Sequence, residues 1–403
     1  MARSNGSANG APVYIASAVR TPIGRFLGGL SSLTAVELGT AAARAAIARS
    51  RIPAERLSEV VFGHARQAGA GPNPARQVGI AAGLPESHSA YTVNMACASG
   101  LKAVELGARA IASGEVEAVL VGGMESMSRV PHLIEGLRTG HKLGALALVD
   151  GMERDGFLCR ICDQLMGATA ENLADRYQIG REEQDQYALE SQRRAGAAIT
   201  AGRFADELVK VAVPGRGGAV VEIAADEHPR PDTNLTGLAT LKPVFRREGG
   251  TVTAGNSSGI VDGAAALVLA GEAAIRAAGI EPLGRLAGFT SAGVDPQVMG
   301  IGPVPAVEEL MRRTGRKLGE VPLIELNEAF AAQVLACDRE LEFDRERLNV
   351  NGGAIALGHP IGATGARILV TLVHEMRRRQ AEAGLATLCV SGGQGMAALV
   401  TRD

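Results

Sequence analysis

At 403 residues the chain exceeds what one hydrophobic core ordinarily accommodates, so two or three domains are expected. Apolar residues make up 46% and charged residues 21%, and no apolar run is long enough to span a bilayer, which predicts a globular protein that neither crosses nor binds a membrane. Lys plus Arg number 41 against 43 Asp plus Glu, and aromatics are 3% with no Trp, so neither a phosphate-binding surface nor a base-stacking platform for nucleic acid is expected.

The opening residues 1–12, MARSNGSANGAP, lack an apolar h-region and read as a flexible tail. The final TRD carries no peroxisomal address, and a cytoplasmic location is expected. The first strand is VYIASAVR, followed by the turn TPIGRFLGG and an Ala-rich helix from about Thr34. EVVFGHA reads as a second strand and NPARQVGIAAG as a short helix. The stretch from Ala90 to Ser126 then reads strand, tight turn, helix, strand, with Leu101, Val104, Ala108 and Ile111 on one helical face.

From about Ser126 to Ser258 charged helices alternate with Gly/Pro-rich connectors and no βαβ rhythm is visible, which predicts an inserted domain. Regular structure resumes with DGAAALVLAG and GRLAGFTSAGV as strands. VPLIELNEAFAAQVLA follows as strand then helix, and LNVNGGAIALGHPIGATGARILVTLVHEMRRR leads through turns into a helix with a buried stripe of Ile368, Leu369, Leu372, Val373 and Met376. The last third echoes the first. Val-Asn ends a strand, Gly-Ala-Arg lies in the next helix and Gly-Gly follows the next strand in both, so an internal duplication is expected.

Five cysteines, Cys97, Cys159, Cys162, Cys337 and Cys389, are scattered and odd in number, which predicts reduced thiols. Cys159 and Cys162 form one Cys-x-x-Cys, but no second pair follows at zinc spacing; no metal is expected, and the pair reads as coincidental. Cys97 lies between a strand and a helix start, where the dipole and free N–H groups favour thiolate; a buried core cysteine is the other reading. His359 precedes Pro360 and so stays out of the helix, at the matching turn of the second half. Around it Gly352, Gly353, Gly358 and Gly362 are expected to let backbone approach a substrate, with His359 as base or oxyanion donor. Cys389 ends a buried strand before glycines, and Asn327 starts the NEAFAA stretch, where it could be no more than an N-cap.

Taken together, NMACASGLKA, NEAFAA, GGAIALGHPIGATGAR and CVSGGQGMA resemble the thiolases, as do RTPIGRF, VGGMESMS, MGATAENLA and VTAGNSSGIVDGAAA. The resemblance runs from about Val13 to Val400. It implies an α/β fold with a five-layered α/β/α/β/α core of two duplicated halves, residues 13–125 with 259–281 and residues 282–403. An inserted loop domain, 126–258, would bind CoA. It implies a homotetramer, a place in fatty acid metabolism such as beta-oxidation, and acyl-CoA and CoA as substrates with no bound cofactor.

By the same resemblance Cys97 becomes acylated, His359 takes its proton, and Cys389 moves the proton beside the acetyl carbonyl. Asn327 would hold a water at the enolate oxygen, and the N–H groups of Cys97 and Ser391 would bind the oxyanion. Ser258 would lie near the pantetheine arm and Arg230 near the adenine nucleotide. Two departures stand out. The last motif, commonly Cys-x-Gly-Gly-Gly, has Ser391 at its third position, where a positive φ would be strained. Leu165-Met166-Gly167 replaces the His-Met-Gly frequent in short-chain members, which predicts acceptance of longer acyl groups.

Overall fold

The computed structural model describes residues 10–402; the first nine residues of the expected tail lie outside the described residues. The chain then joins the core at once, Ala11 donating its N–H to the Ala112 carbonyl at 3.1 Å.

Nine strands carry the architecture. Five form one half-sheet: β1 (Val13–Arg20), β2 (Leu57–Gly63), β3 (Ser89–Val93), β4 (Ala118–Ser126) and β5 (Val261–Gly271). Four form the other: β6 (Gly284–Gly293), β7 (Leu323–Leu326), β8 (Ala383–Val390) and β9 (Gln394–Thr401). Their order is β7-β8-β9-β6-β1-β5-β4-β2-β3, and the two half-sheets join where Tyr14 and Ile15 pair with Arg285 and Gly284. The outer pairs β2–β3, β2–β4 and β7–β8 are parallel, and the rest are antiparallel.

Among the described residues, the helices of eight residues or more are α1 (Ala35–Ser50), α2 (Pro74–Ala81), α3 (Ser99–Ala112), α4 (Met166–Tyr177), α5 (Arg181–Thr200), α6 (Pro303–Thr314), α7 (Ala331–Leu341) and α8 (Ile361–Arg379). The expected start of α1 is sealed by a capping box, Thr34 reaching the Glu37 N–H and Glu37 reaching back.

Strand β5 shows why the layers stack. Ala264, Ala266, Val268 and Ala270 point into the core beneath α1 and α2, whereas Ala265, Leu267 and Leu269 point into the core around α3 and α8. A strand covered on both faces loses polar alternation, which is why DGAAALVLAG reads as continuous apolar sequence. The second half repeats this, with Leu388, Val390, Met396 and Ala398 facing α3 and α8, and Leu385, Ala397 and Leu399 facing α6. The result is helix, sheet, helix, sheet, helix, as expected.

The central position of α8 corrects one expectation. Besides its apolar stripe it buries Arg367, Thr371 and Glu375, and every residue from Ile361 to Val373 is buried. The helix lies between two sheets and has no solvent face in that stretch. Between β4 and β5 the chain leaves the sheet to form α4, α5 and a hairpin of Val211–Pro214 with Val220–Ile223. Leu173, Ala174 and Ile179 of this region pack on Ala332, Leu335 and Ala336 of α7, so it rests on the second half.

Candidate active site

Helices α3 and α8 touch backbone to backbone. A Cβ at Gly100 would stand 2.8 Å from the Ala366 nitrogen, and one at Gly365 would stand 2.6 Å from the Leu101 nitrogen. Contacts this close need glycine, and they set the N-termini of the two helices side by side. Cys97 enters one terminus and His359 the other.

Cys97 sits in a 3-10 turn, Ala96–Ala98, directly before α3. Ala96 adopts φ 46°, a left-handed conformation that costs a non-glycine residue of order 1 kcal/mol or more. The kink is braced: Asn94 Oδ1 accepts the Ala96 N–H at 2.9 Å, and the Ser99 hydroxyl accepts the Met95 N–H at 2.9 Å while donating to the Ala96 carbonyl at 2.6 Å. The N–H groups of Ser391 and of Cys97 itself reach the sulfur. Even so, burial pushes the thiol above its ordinary pKa, and the Arg66 charge with those N–H groups only moderates the rise. The helix terminus therefore does not yield the resting thiolate expected from sequence, because loss of water outweighs the dipole.

His359 is buried, and burial, followed by the charges of Arg367 and Arg66, lowers its pKa to about 3. Its tautomer follows from one hydroxyl. Thr364 Oγ1 donates to the Pro360 carbonyl at 3.0 Å, so its oxygen must accept at the 2.6 Å contact with His359 Nδ1. Nδ1 then carries the proton, and Nε2 presents a bare lone pair. Nε2 is buried and has no partner within the protein. A neutral imidazole with one nitrogen anchored and the other free is arranged as a base.

Cys389, fully buried at the end of β8, is raised well above the usual thiol pKa by burial and by the nearby Cys97 sulfur. Asn327 extends β7 beside it, its N–H donating to the Thr387 carbonyl at 3.0 Å. It does not cap a helix, since α7 begins at Ala331 with Phe330 as N-cap. Both Asn327 side-chain polar atoms are buried without a protein partner. An unpaired buried amide costs about 1–3 kcal/mol, so this group is poised for a partner from outside the fold.

Ser258 is drawn in by backbone bonds. Its N–H donates to the Ala329 carbonyl at 3.0 Å, and the neighbouring Gly259 carbonyl accepts the His359 N–H at 3.2 Å. Arg230 stands apart at an exposed position. Only two residues away, however, His228 bonds the Ala356 carbonyl at 2.7 Å and packs against Gly259. Cys97 thus lies close to the Ser391 N–H and the Cys389 sulfur, and Asn327 pairs with the strand that carries Cys389. His359 enters the adjoining helix, Ser258 is next in the chain to the Gly259 that bonds it, and Arg230 stands apart.

The glycines around His359 have a different use from the one expected. A Cβ at Gly352 would lie 2.6 Å from the Ser191 carbonyl, one at Gly358 2.5 Å from Val261, and one at Gly362 2.5 Å from the Met124 carbonyl. A Cβ at Gly353 would overlap the Glu328 carboxylate. These glycines let other parts of the chain approach their α-carbons closely.

The first family model matched, the thiolase N-terminal domain, covers residues 13–273, and the second, the thiolase C-terminal domain, covers 280–402. The chain belongs to the thiolase family. It is 51% identical to an acetyl-CoA acetyltransferase of Pseudomonas aeruginosa over 97% of this chain and 99% of that one. Its fold superposes on the acetyl-CoA acetyltransferase of Bacillus anthracis with a TM-score of 0.95 at 43% identity, covering 98% and 100% of the two chains. The CoA complex of human mitochondrial 3-ketoacyl-CoA thiolase matches at a TM-score of 0.92 and 41% identity, covering 97% and 98%.

In this thiolase the serine of the last motif is not strained. Positive φ falls on Gly392 (87°) and Gly393 (86°), and Ser391 is not among the left-handed residues. Leu165 is half-buried, paired with Leu158 in a short hairpin that leads into α4. Among the described residues no cluster of three or more His, Cys, Asp or Glu is placed to hold a metal.

Sequence reasoning missed Thr364 and Glu125. Glu125, at the end of β4, accepts the Gly362 N–H at 2.9 Å and the Arg66 N–H at 3.2 Å, and lies 3.2 Å from His64 Nε2. Burial opposes its charge, yet these partners hold its pKa below the usual carboxylate value. It anchors the N-terminus of α8 beneath His359. An acid closing the buried strand AVLVGGMES was the available signal.

Proposed function

We propose that this thiolase transfers acyl groups through a thioester on Cys97, in thiolysis of 3-ketoacyl-CoA and in the reverse Claisen condensation. The observation that supports the reading is the bare Nε2 of a neutral His359 entering α8 while a neutral Cys97 thiol enters α3, two helices in backbone contact. As the Cys97 sulfur attacks the keto carbonyl, its proton passes to Nε2, so charge appears only during the reaction. The N–H groups of Cys97 and Ser391, already directed at the sulfur, would bind the developing oxyanion. Carbon–carbon cleavage then releases an acetyl-CoA enolate, whose oxygen the unpaired Asn327 amide would stabilise through a bound water.

Cys389, held as a thiol by burial, would protonate the enolate carbon, and as a thiolate would remove that proton in condensation. Once the His359 proton has passed on to the Cys389 thiolate, CoA–SH in the second half-reaction gives its proton to His359 and takes the acyl group, and that proton returns to the departing Cys97 sulfur. Ser258 would adjoin the pantetheine arm and Arg230 the adenine nucleotide, along an inserted domain of residues 126–258 between halves 13–125 with 259–281 and 282–403. A cytoplasmic homotetramer serving beta-oxidation fits this reading, which the CoA complex of the human mitochondrial 3-ketoacyl-CoA thiolase supports for the substrate.

The test separates the two cysteines. Cys389→Ala should still exchange labelled CoA with acetyl-CoA, because exchange needs no carbon acid chemistry. It should lose condensation and thiolysis by about 10²–10⁴-fold, the usual worth of one general acid–base group. Cys97→Ala should lose both activities. A Cys389→Ala enzyme that condensed normally, or that lost exchange as completely as Cys97→Ala, would refute the assignment.

A further inference from the structure

Cys159 ends the short strand Leu158–Cys159, which pairs antiparallel with Gln164–Leu165, Cys159 facing Gln164. The connecting loop is Arg160, Ile161, Cys162 and Asp163, and Asp163 takes φ 53° to turn the chain back. In this reversal Cys162 folds over Cys159. The N–H groups of Ile161 and Cys162, the thiol of Cys162 and the N–H of Gly392 all favour the charged form of the Cys159 sulfur. Successive N–H groups closing on one atom form an anion nest, here built around a sulfur.

The two thiols differ in access: Cys159 is 4% exposed, and Cys162 is half-buried. They differ in acidity as well. Burial is the largest influence on Cys159, but the N–H groups and the Cys162 thiol outweigh it and lower the pKa, whereas burial and the Cys159 sulfur raise that of Cys162. No third metal ligand joins them among the described residues. Two cysteines three apart in a reversing loop have Cα atoms within about 7 Å, the span of a disulfide. The coincidental pair of the sequence reading is therefore a structured one.

We propose that Cys159 and Cys162 are a reversible oxidation site, and that closing their disulfide slows acyl transfer by loosening the turn of Ser391, Gly392 and Gly393. The oxidant class is a hydroperoxide. The accessible Cys162 gives its proton to the Cys159 sulfur and attacks the outer oxygen of the peroxide; an S–O bond forms, the O–O bond breaks, and the departing hydroxide or alkoxide is protonated to water or alcohol. The Cys159 sulfur then attacks that sulfur, the S–S bond forms, and a second hydroxide leaves and takes the Cys159 proton to become water. Two thiols lose two electrons to one peroxide. The loop lies against that turn, a Cβ at Gly392 standing 3.5 Å from the Ile161 side chain, so drawing the Cys159 sulfur to bonding distance of Cys162 shifts the surface on which Gly392 rests. Ser391, next in the chain, presents the N–H that reaches Cys97. The effect on rate rests on the proposed oxyanion role of that N–H, but the bond itself does not.

The test uses the full chain, pre-treated with acetyl-CoA so that Cys97 is masked as its thioester, then exposed to hydrogen peroxide. After blocking of free thiols, trypsin cleaves at Arg160 between the two cysteines. A disulfide leaves the flanking fragments joined until dithiothreitol is added. Joined fragments are expected, with a kcat reduced about threefold to tenfold, less than the about 10²–10³ for loss of a whole oxyanion donor, and a KM little changed. Dithiothreitol should restore kcat, and Cys162→Ser and Cys162→Ala should both resist the loss. Separate fragments after oxidation would overturn the site. Joined fragments with an undiminished kcat, or an equal loss in the Cys162 variants, would overturn its effect on the reaction. Failure of Cys97 to acetylate is read separately, as the missing acetyl mass, and refutes the nucleophile rather than the disulfide.

Discussion

The α-carbon of Gly123 in β4 faces the carbonyl of Gly362 in α8 so closely that a Cβ would overlap that oxygen and stand 3.1 Å from the Gly100 α-carbon of α3. One strand and two helices meet at this point, directly under the residues that approach Cys97 and His359. Gly123→Ala must wedge them apart. Overpacking of this kind costs about 1–3 kcal/mol, and we expect a lower Tm together with a fall in kcat. Gly196→Ala, in α5 with nothing within 4 Å of the added atom, is the control and should be neutral or stabilising by about 0.5–1 kcal/mol. Thermal melts and steady-state kinetics on both variants decide it.

Thr364 should matter through His359 alone. Thr364→Val removes the acceptor for Nδ1–H and frees the imidazole to adopt the other tautomer, with its proton on Nε2. A loss in kcat of about tenfold to a hundredfold is expected, at the low end of the worth of a general base. Thr364→Ser, which keeps the hydroxyl, should recover most of it. Equal activity of the valine and serine variants would mean that the hydroxyl does not hold the tautomer.

Stability should fall in mild acid because His359 cannot be protonated in the fold. The folded protein resists the proton down to about pH 3, whereas the unfolded chain takes it near the ordinary 6.5. Between those values the unfolded state binds more protons, so this contribution is whole above 6.5 and is lost as the pH falls, at about 1.4 kcal/mol per pH unit. Glu325, raised to about 8 by burial, acts oppositely: its contribution is whole below 4.5 and is lost as pH rises through 8. The difference in denaturant stability between His359→Gln and the parent, measured at pH 7 and pH 5, isolates the histidine. A variant with the parent's slope would contradict the buried neutral imidazole.

Acyl-chain preference should be graded. With apolar Leu165 in the hairpin before α4, each added methylene that is buried contributes about 0.8 kcal/mol. We expect medium-chain 3-ketoacyl-CoAs to be accepted and Leu165→His to shift kcat/KM towards acetoacetyl-CoA. Activity confined to acetoacetyl-CoA in the parent would refute this.

Much of the fold was legible because burial leaves local marks. VYIASAVR and DGAAALVLAG announce strands covered on both faces, and Thr34 with Glu37 marks a helix start. Cys97 and His359 were legible as side chains at paired turns before helices. The direction of the Cys97 shift was not, because it depends on how much water the rest of the fold removes. The role of Gly352, Gly353, Gly358 and Gly362 was hidden for a related reason: Ser191, Glu328, Val261 and Met124, which they accommodate, come from distant parts of the chain. Thr364 gave no sign of its hydrogen bond, since a threonine near a helix start has many ordinary uses.

The enclosure of α8 between two sheets bears on how the enzyme fails. A helix with no solvent face from Ile361 to Val373 has no route to local fraying there, so its amide protons can meet water only when the layers separate. Exchange at those amides should therefore be among the slowest in the protein. His359 borders that segment, and so the proposed base should survive any partial opening of the region around α4 and α5 and disappear only with the whole fold. Heat should switch this enzyme off in one step, without first dulling it.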